Sequence, residues 1–228
     1  MINSDNPRFI TFEGGEGSGK STQSRMLYQY LLKQGVKVLH TREVGGTTEA
    51  EKIRELLVYS ELLPISELML VMAARHEHIN KVIVPALLDG FWVICDRYID
   101  STACYQSGDS GLTMEDIYEL HDTLMTISEI NSMTNITTSS EKLSLYKGLM
   151  PDLTFFMDMT PQICIDRLQG RENNNKFDAK NSQFHQMIYD RFQNLVSAHS
   201  DRIIAIDCLN KSIEDIHQDI VSHIASTQ

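Results

Sequence analysis

The chain has 228 residues, 42% of them hydrophobic, which suits one domain with a single sizeable core, and no second domain is expected. A formal net charge of −11 argues against broad electrostatic binding to nucleic acid or an anionic membrane, so a polyphosphate ligand must be held by local cations. The opening MINSDNPRF lacks the basic and apolar segments of a signal peptide, and the chain contains no apolar run of about 18 residues, so a cytoplasmic protein is expected.

The first predicted element is a strand, Phe9–Phe12, and it runs directly into Gly14-Gly15-Glu16-Gly17-Ser18-Gly19-Lys20-Ser21, the eight-position phosphate-loop pattern. The glycines permit a tight loop with inward-facing backbone N–H groups, Lys20 brings a point charge to the β- and γ-phosphates, and Ser21 offers a hydroxyl to Mg²⁺. A helix is predicted from Thr22 to Gly35, with Met26, Leu27, Tyr30 and Leu31 on one face, which aims its N-terminus at the phosphates. Strands follow at Val36–His40, Trp92–Cys95, Leu153–Met157 and Ile203–Ile206, alternating with helical patterns that include Met114–Met125. Between that helix and the fourth strand, residues 127–147 turn rich in Ser, Thr and Asn and lose any period, so a surface insertion is expected there.

Apolar runs alternating with helices define an α/β fold, a mostly parallel sheet flanked by helices. Ligands in such sheets collect beyond the carboxyl ends of the strands. Those positions hold Glu13-Gly14, Thr41-Arg42-Glu43, Asp96-Arg97-Tyr98, Asp158 and Asp207. Asp96 beside Arg97 suits magnesium and phosphate together: the carboxylate can hold a water of the metal shell while the guanidinium takes a second phosphate, giving one site for a donor and one for an acceptor. Ser101, Thr102, Tyr105 and Gln106 then fall on the start of a predicted helix, where their polar groups suit a base edge. Further local cations are Arg75, Arg167, Arg171 and Lys176.

The ordered set FEGGEGSGKSTQ (12–23), TREVGGT (41–47), AAR (73–75), DRYIDSTACYQ (96–106), PDLTFFMDMTP (151–161) and a lid-like stretch from Arg167, about residues 167–184, resembles the thymidylate kinase family in its bacterial form. The resemblance runs through nearly the whole chain. It implies a P-loop kinase fold on a five-stranded parallel sheet, transfer of the ATP γ-phosphoryl group to dTMP, Mg²⁺ and a homodimer. By the same resemblance Gly14 to Thr22 hold ATP and Glu16 lies near the acceptor's sugar and phosphate. Arg42 and Arg97 face the acceptor phosphate, Arg75 faces the thymine carbonyl, and Thr102, Tyr105 and Gln106 face base and sugar, with Tyr105 crowding out a ribose 2′-hydroxyl. Another phosphate-loop kinase keeps residues 14–22 but has no need of DRY followed by STxxYQ, and a nucleotide-dependent switch needs no acceptor pocket.

Four departures from the family pattern stand beside that match. Val44 replaces a proline, Val71 replaces the aromatic that stacks on thymine, Asn175-Lys176-Phe177-Asp178 carries lysine in place of arginine, and the 127–147 insertion is extra. Because position 17 is Gly, the loop has no arginine of its own, and Arg171 and Lys176 are expected to close over ATP and meet the transition-state charge. The remaining features read as structural: His76-Glu77-His78 as solvated helix residues, Met69, Met72 and Trp92 as core, and Cys95, Cys104, Cys164 and Cys208 as packing thiols without metal-like spacing.

Overall fold

The computed structural model describes residues 8–125, 146, 148–169 and 176–226. Its elements are β1 (Phe9–Glu13), α1 (Lys20–Lys33), β2 (Val38–Arg42), α2 (Thr48–Tyr59), α3 (Pro64–His78), a π-helical turn (Ile79–Ile83), α4 (Val84–Leu88), β3 (Trp92–Asp96), α5 (Ile99–Gln106), α6 (Met114–Leu124), β4 (Leu153–Asp158), α7 (Pro161–Leu168), α8 (Ser182–Ala198), β5 (Ile203–Asp207) and α9 (Ile213–Ser226). The five strands form one parallel sheet in the order β2-β3-β1-β4-β5. All five expected strands are present, β2 two residues later than the apolar run implied, because Val36 is buried ahead of the strand.

The two-residue period of the strands sorts their side chains onto two apolar cores. Phe9, Val93, Cys95, Phe156 and Ile203 join residues of α3 to α6 and α8 on one face, while Ile10, Phe12, Ile94, Phe155 and Met157 meet Leu27 and Leu31 of α1 and Ile216, Ile220 and Ile224 of α9 on the other. All four cysteines are buried free thiols, and Trp92 is core. Met69 is 52% exposed and so is not core, unlike Met72. His78 is also unlike its expected solvated state: it is fully buried, with Thr41 Oγ1 2.7 Å from Nε2 and Glu43 Oε1 3.0 Å from Nδ1.

Register delivers the site. Phe12 and Arg42 both align with Asp96, and Glu13 aligns with Phe156, so the ends of β1, β2 and β3 stand side by side at one rim. Helix α1 starts at Lys20 rather than Thr22, since the N–H groups of Thr22 and Gln23 already bond to the Gly19 carbonyl. The 127–147 insertion lies outside the described residues except for Tyr146, which packs against the first core. Arg171 lies outside them as well.

Candidate active site

At the end of β1 the loop turns through Gly14 (φ 139°), Gly17 (φ 80°) and Gly19 (φ 99°), a left-handed region that side chains disfavour. Gly17 is required twice over, because a Cβ there would lie 2.7 Å from the Cys164 carbonyl oxygen of α7. Gly19 caps α1 without a side chain, whereas Thr47 and Asn181 cap α2 and α8 through their side chains, so the first turn of α1 keeps backbone donors for an anion. Lys20 Nζ donates to the Gly15 carbonyl at 2.6 Å. Burial, with Arg97 nearby, brings the Lys20 ammonium down to about 8, and a bound polyphosphate would push it back up and secure the charge.

Ser21 Oγ donates to the Asp96 carboxylate, bringing together the two residues expected to serve Mg²⁺. Among the described residues no three His, Cys, Asp or Glu side chains gather as a metal cage. A hydroxyl and a carboxylate, both hard oxygen donors, fit a Mg²⁺ ion that takes its remaining ligands from phosphate and water. This phosphate recess is completed by Glu16, Gly17, Gly19, Thr22, Arg42, Glu43, Arg54, Arg97 and Asp178.

A second cleft opens beside it, lined by Glu16, Glu43, Val44, Arg54, Leu57, Val58, Glu67, Val71, Arg75, Arg97, Tyr98, Ser101, Thr102, Tyr105, Gln106 and Phe177. Arg97 stands between the two. Its backbone is left-handed at φ 72°, held by a bond from its N–H to the Phe12 carbonyl at 3.0 Å. Its guanidinium donates to the Gly14 carbonyl at 3.0 Å, Ser101 Oγ at 2.9 Å and Glu16 Oε1 at 2.6 Å, and its centre lies 5.1 Å from the Tyr105 ring centroid. Burial alone would raise the Glu16 carboxyl, but Arg97, Lys20 and Arg54 outweigh it and hold the group below its ordinary value. Arg42 reaches the recess more loosely, half-exposed and paired with Glu51 at 2.8 Å.

Arg75, 1% exposed, forms the deep wall of the second cleft. It donates through Nε to Glu43 at 2.7 Å and through Nη2 to Thr102 Oγ1 at 2.8 Å, with its centre 4.8 Å from the Tyr98 ring centroid. Nη1, whose contact is the Met72 sulfur at 3.9 Å, is the nitrogen left for a ligand. Burial would raise the Glu43 carboxyl, yet Arg75 and His78 keep it low, so the arginine's ion pair is secure.

The structure thus brings together Glu16, Lys20, Ser21, Arg42, Asp96 and Arg97, and beside them Val71, Arg75, Ser101, Thr102, Tyr105 and Gln106. Among the described residues Lys176 departs from this set. It lines a recess that adjoins the second cleft and shares Glu67, Tyr105, Gln106 and Phe177 with it; there its ammonium pairs with Glu67 and donates to the Ser60 carbonyl at 3.3 Å, so the expectation that it covers the phosphates is not met by its placement. Arg167 stands nearer, with Nη1 3.5 Å from the Gly17 carbonyl.

Sequence reasoning gave no site role to Arg54, Glu67 or Phe177, nor to Glu13 and Glu43, although it set those two among the strand-end positions. Glu13 accepts the Tyr98 N–H at 2.7 Å and the Ser101 hydroxyl, and so anchors the turn that presents Arg97. Its place directly after a buried strand was the available signal. Arg54 shares a helical stripe with buried Ala50 and Leu57, a pattern in which a lone arginine stands out.

A glycine loop clasping a lysine, a pair formed by Ser21 of α1 and Asp96 at the end of β3, and an adjoining base-sized cleft define a P-loop nucleotide kinase. A family model described as thymidylate kinase matches residues 12–129 and 132–220. The chain is 47% identical to the thymidylate kinase of Rickettsia africae, covering 98% of this chain and 100% of that one, and 47% identical to that of Rickettsia bellii, covering 95% of each. The crystal structure of thymidylate kinase from Ehrlichia chaffeensis superposes with a TM-score of 0.69 at 31% identity, over 96% of this chain and 99% of that one. The chain belongs to the thymidylate kinase family.

Proposed function

We propose that the protein transfers the γ-phosphoryl group of ATP to dTMP, giving dTDP and ADP, with Mg²⁺. The observation that carries this reading is that the phosphate recess and the base-sized cleft share Glu16, Glu43, Arg54 and Arg97, so a donor in one and an acceptor in the other would meet across those four side chains. Phosphoryl transfer asks the protein chiefly to align two substrates, exclude water and neutralise spreading charge. Lys20 and the loop N–H groups would hold the donor phosphates, and Ser21 with Asp96 would hold Mg²⁺, which when bound neutralises phosphate charge. Arg97 and Arg54 would hold the acceptor phosphate, with Arg42 at the outer rim. Arg75 would donate to a thymine carbonyl, Val71 and Phe177 would cover the base, and Tyr105 would crowd the 2′ position of the sugar. Arg167 is the α7 cation placed to assist where the loop itself cannot carry a side chain.

A homodimer and a cytoplasmic setting complete the proposal. Leu56, Tyr59, Leu63, Ile65 and Met69, all on or between α2 and α3, are exposed apolar residues of the kind a second copy would cover. Buried free thiols suit a reducing compartment, and no helix among the described residues is long and apolar enough to cross a membrane. Incubating the protein with ATP, Mg²⁺ and a panel of nucleoside monophosphates tests the activity. Turnover with dTMP is expected; turnover only with another acceptor reassigns the enzyme, and slow hydrolysis without an acceptor favours a nucleotide switch.

A further inference from the structure

Glu67 of α3 joins two residues that sequence reasoning had assigned to different jobs. One carboxylate oxygen accepts from Gln106 Nε2 at 2.8 Å, and the other accepts from Lys176 Nζ. The ion pair is largely enclosed, with each side chain 14% exposed. The next residue, Phe177, puts its ring in the base-sized cleft, 5.7 Å from that of Tyr105 and edge-on to it, and Asp178 lines the phosphate recess. Lys176 is therefore the fastening of a strip that crosses from the back recess over one substrate cleft to the other.

The same carboxylate decides how the Gln106 amide lies. A carboxylate only accepts hydrogen bonds, so the amide must present its NH₂ group to Glu67, which leaves the carbonyl Oε1 as the terminal atom for a ligand. Arg75, on the same cleft, can only donate. A wall with one donor and one acceptor matches the edge of thymine or uracil, where an N3–H lies beside carbonyl oxygens. It opposes the edge of cytosine, where an N3 lone pair would face Oε1 and a 4-amino group would face the guanidinium.

We propose that Glu67, held in place by Lys176, is the positioning residue that locks the Gln106 amide in its acceptor orientation and thereby makes the cleft reject cytosine. Lys176 on this account serves acceptor recognition and supplies no charge to the transferring phosphoryl group. The proposal rests on the dTMP kinase reading above and refines it.

The test compares kcat/KM for dTMP and dCMP in the wild type, Glu67→Gln, Lys176→Met and Lys176→Arg. A glutamine at 67 can donate as well as accept, so it frees Gln106 to turn its NH₂ toward the cleft. The dTMP-to-dCMP preference should then fall roughly 10-fold or more, the scale set by one mismatched buried polar contact. Lys176→Met should raise the KM for dTMP and erode the preference in the same direction with kcat for dTMP maintained, and Lys176→Arg should keep the preference. An unchanged preference in Glu67→Gln overturns the proposal. So does a Lys176→Met variant that loses kcat equally on every acceptor with its dTMP KM unchanged, since that is the behaviour of a charge acting on the transition state. A wild type that fails to phosphorylate dTMP overturns the functional reading itself, whereas normal wild-type turnover with an unchanged Glu67→Gln ratio overturns this inference alone.

Discussion

Three glycines of the phosphate loop separate two physical demands that are usually confounded, the backbone angle and the space. A Cβ at position 15 would meet nothing within 4 Å, and Gly15 has no positive φ; Gly19 has the same open space but φ 99°; Gly17 has φ 80°, and a Cβ there would meet the Cys164 carbonyl oxygen at 2.7 Å. Alanine at 15 should therefore leave stability within about 0.5 kcal/mol of wild type. Alanine at 19 should cost the left-handed penalty, about 1–2 kcal/mol. Alanine at 17 should add to that penalty an overpacking cost, since the obstructing atom is helix backbone and cannot swing away, for a total of about 2–5 kcal/mol. Urea unfolding of the three variants without nucleotide measures these differences apart from any effect on ATP. If Gly17→Ala proves no less stable than Gly19→Ala, the approach of α7 to the loop is wrong, and with it the reason why this loop carries no arginine and relies on cations from elsewhere.

Other outcomes follow from the same site. Arg97→Ala should impair every acceptor by about 2–5 kcal/mol in kcat/KM, the cost of losing a desolvated charge contact, while Arg75→Ala should harm thymidine preferentially; unchanged dTMP affinity and turnover in Arg97→Ala would refute its place at the acceptor phosphate. Burial and the nearby Asp100 push the Glu13 carboxyl up from 4.5 to about 8. The folded protein thus keeps a proton there that the unfolded chain releases, so the stabilisation is full below pH 4.5 and is lost as pH rises toward 8. Glu13→Gln should flatten that decline in a series of unfolding curves, and an identical slope would show that Glu13 is ionised throughout. Phe177→Ala should weaken dTMP binding by about 1–3 kcal/mol in a calorimetric titration, and Val71→Phe should gain less than that, because the cleft already holds the Phe177 ring.

Much of this molecule was legible in local pattern. Five apolar runs and the helices between them are read from a two-residue or near-four-residue period, and the loop at 14–21 declares its chemistry because backbone angle, charge and hydroxyl all have to occur within eight consecutive residues. Arg97 and Gln106 could be placed for a similar reason, since one follows a strand end and the other lies on the short helix that comes next, whereas Arg75, near the end of the long helix α3, was placed by family resemblance alone. What local pattern could not supply was the partner of each charge. Glu13, Glu43 and Glu67 are ordinary acidic residues in sequence, and they become struts for Arg97, Arg75 and Gln106 only when strand register and helix packing bring them within hydrogen-bond reach. Lys176 shows the consequence of that gap. Its place in a lid-like motif assigns it to ATP, yet its ammonium lies on Glu67, 109 residues earlier in the chain. Periodicity and loop chemistry are properties of neighbours along the chain, whereas the pairing of buried charges depends on which surfaces the folded chain presses together, and that is decided by tertiary structure alone.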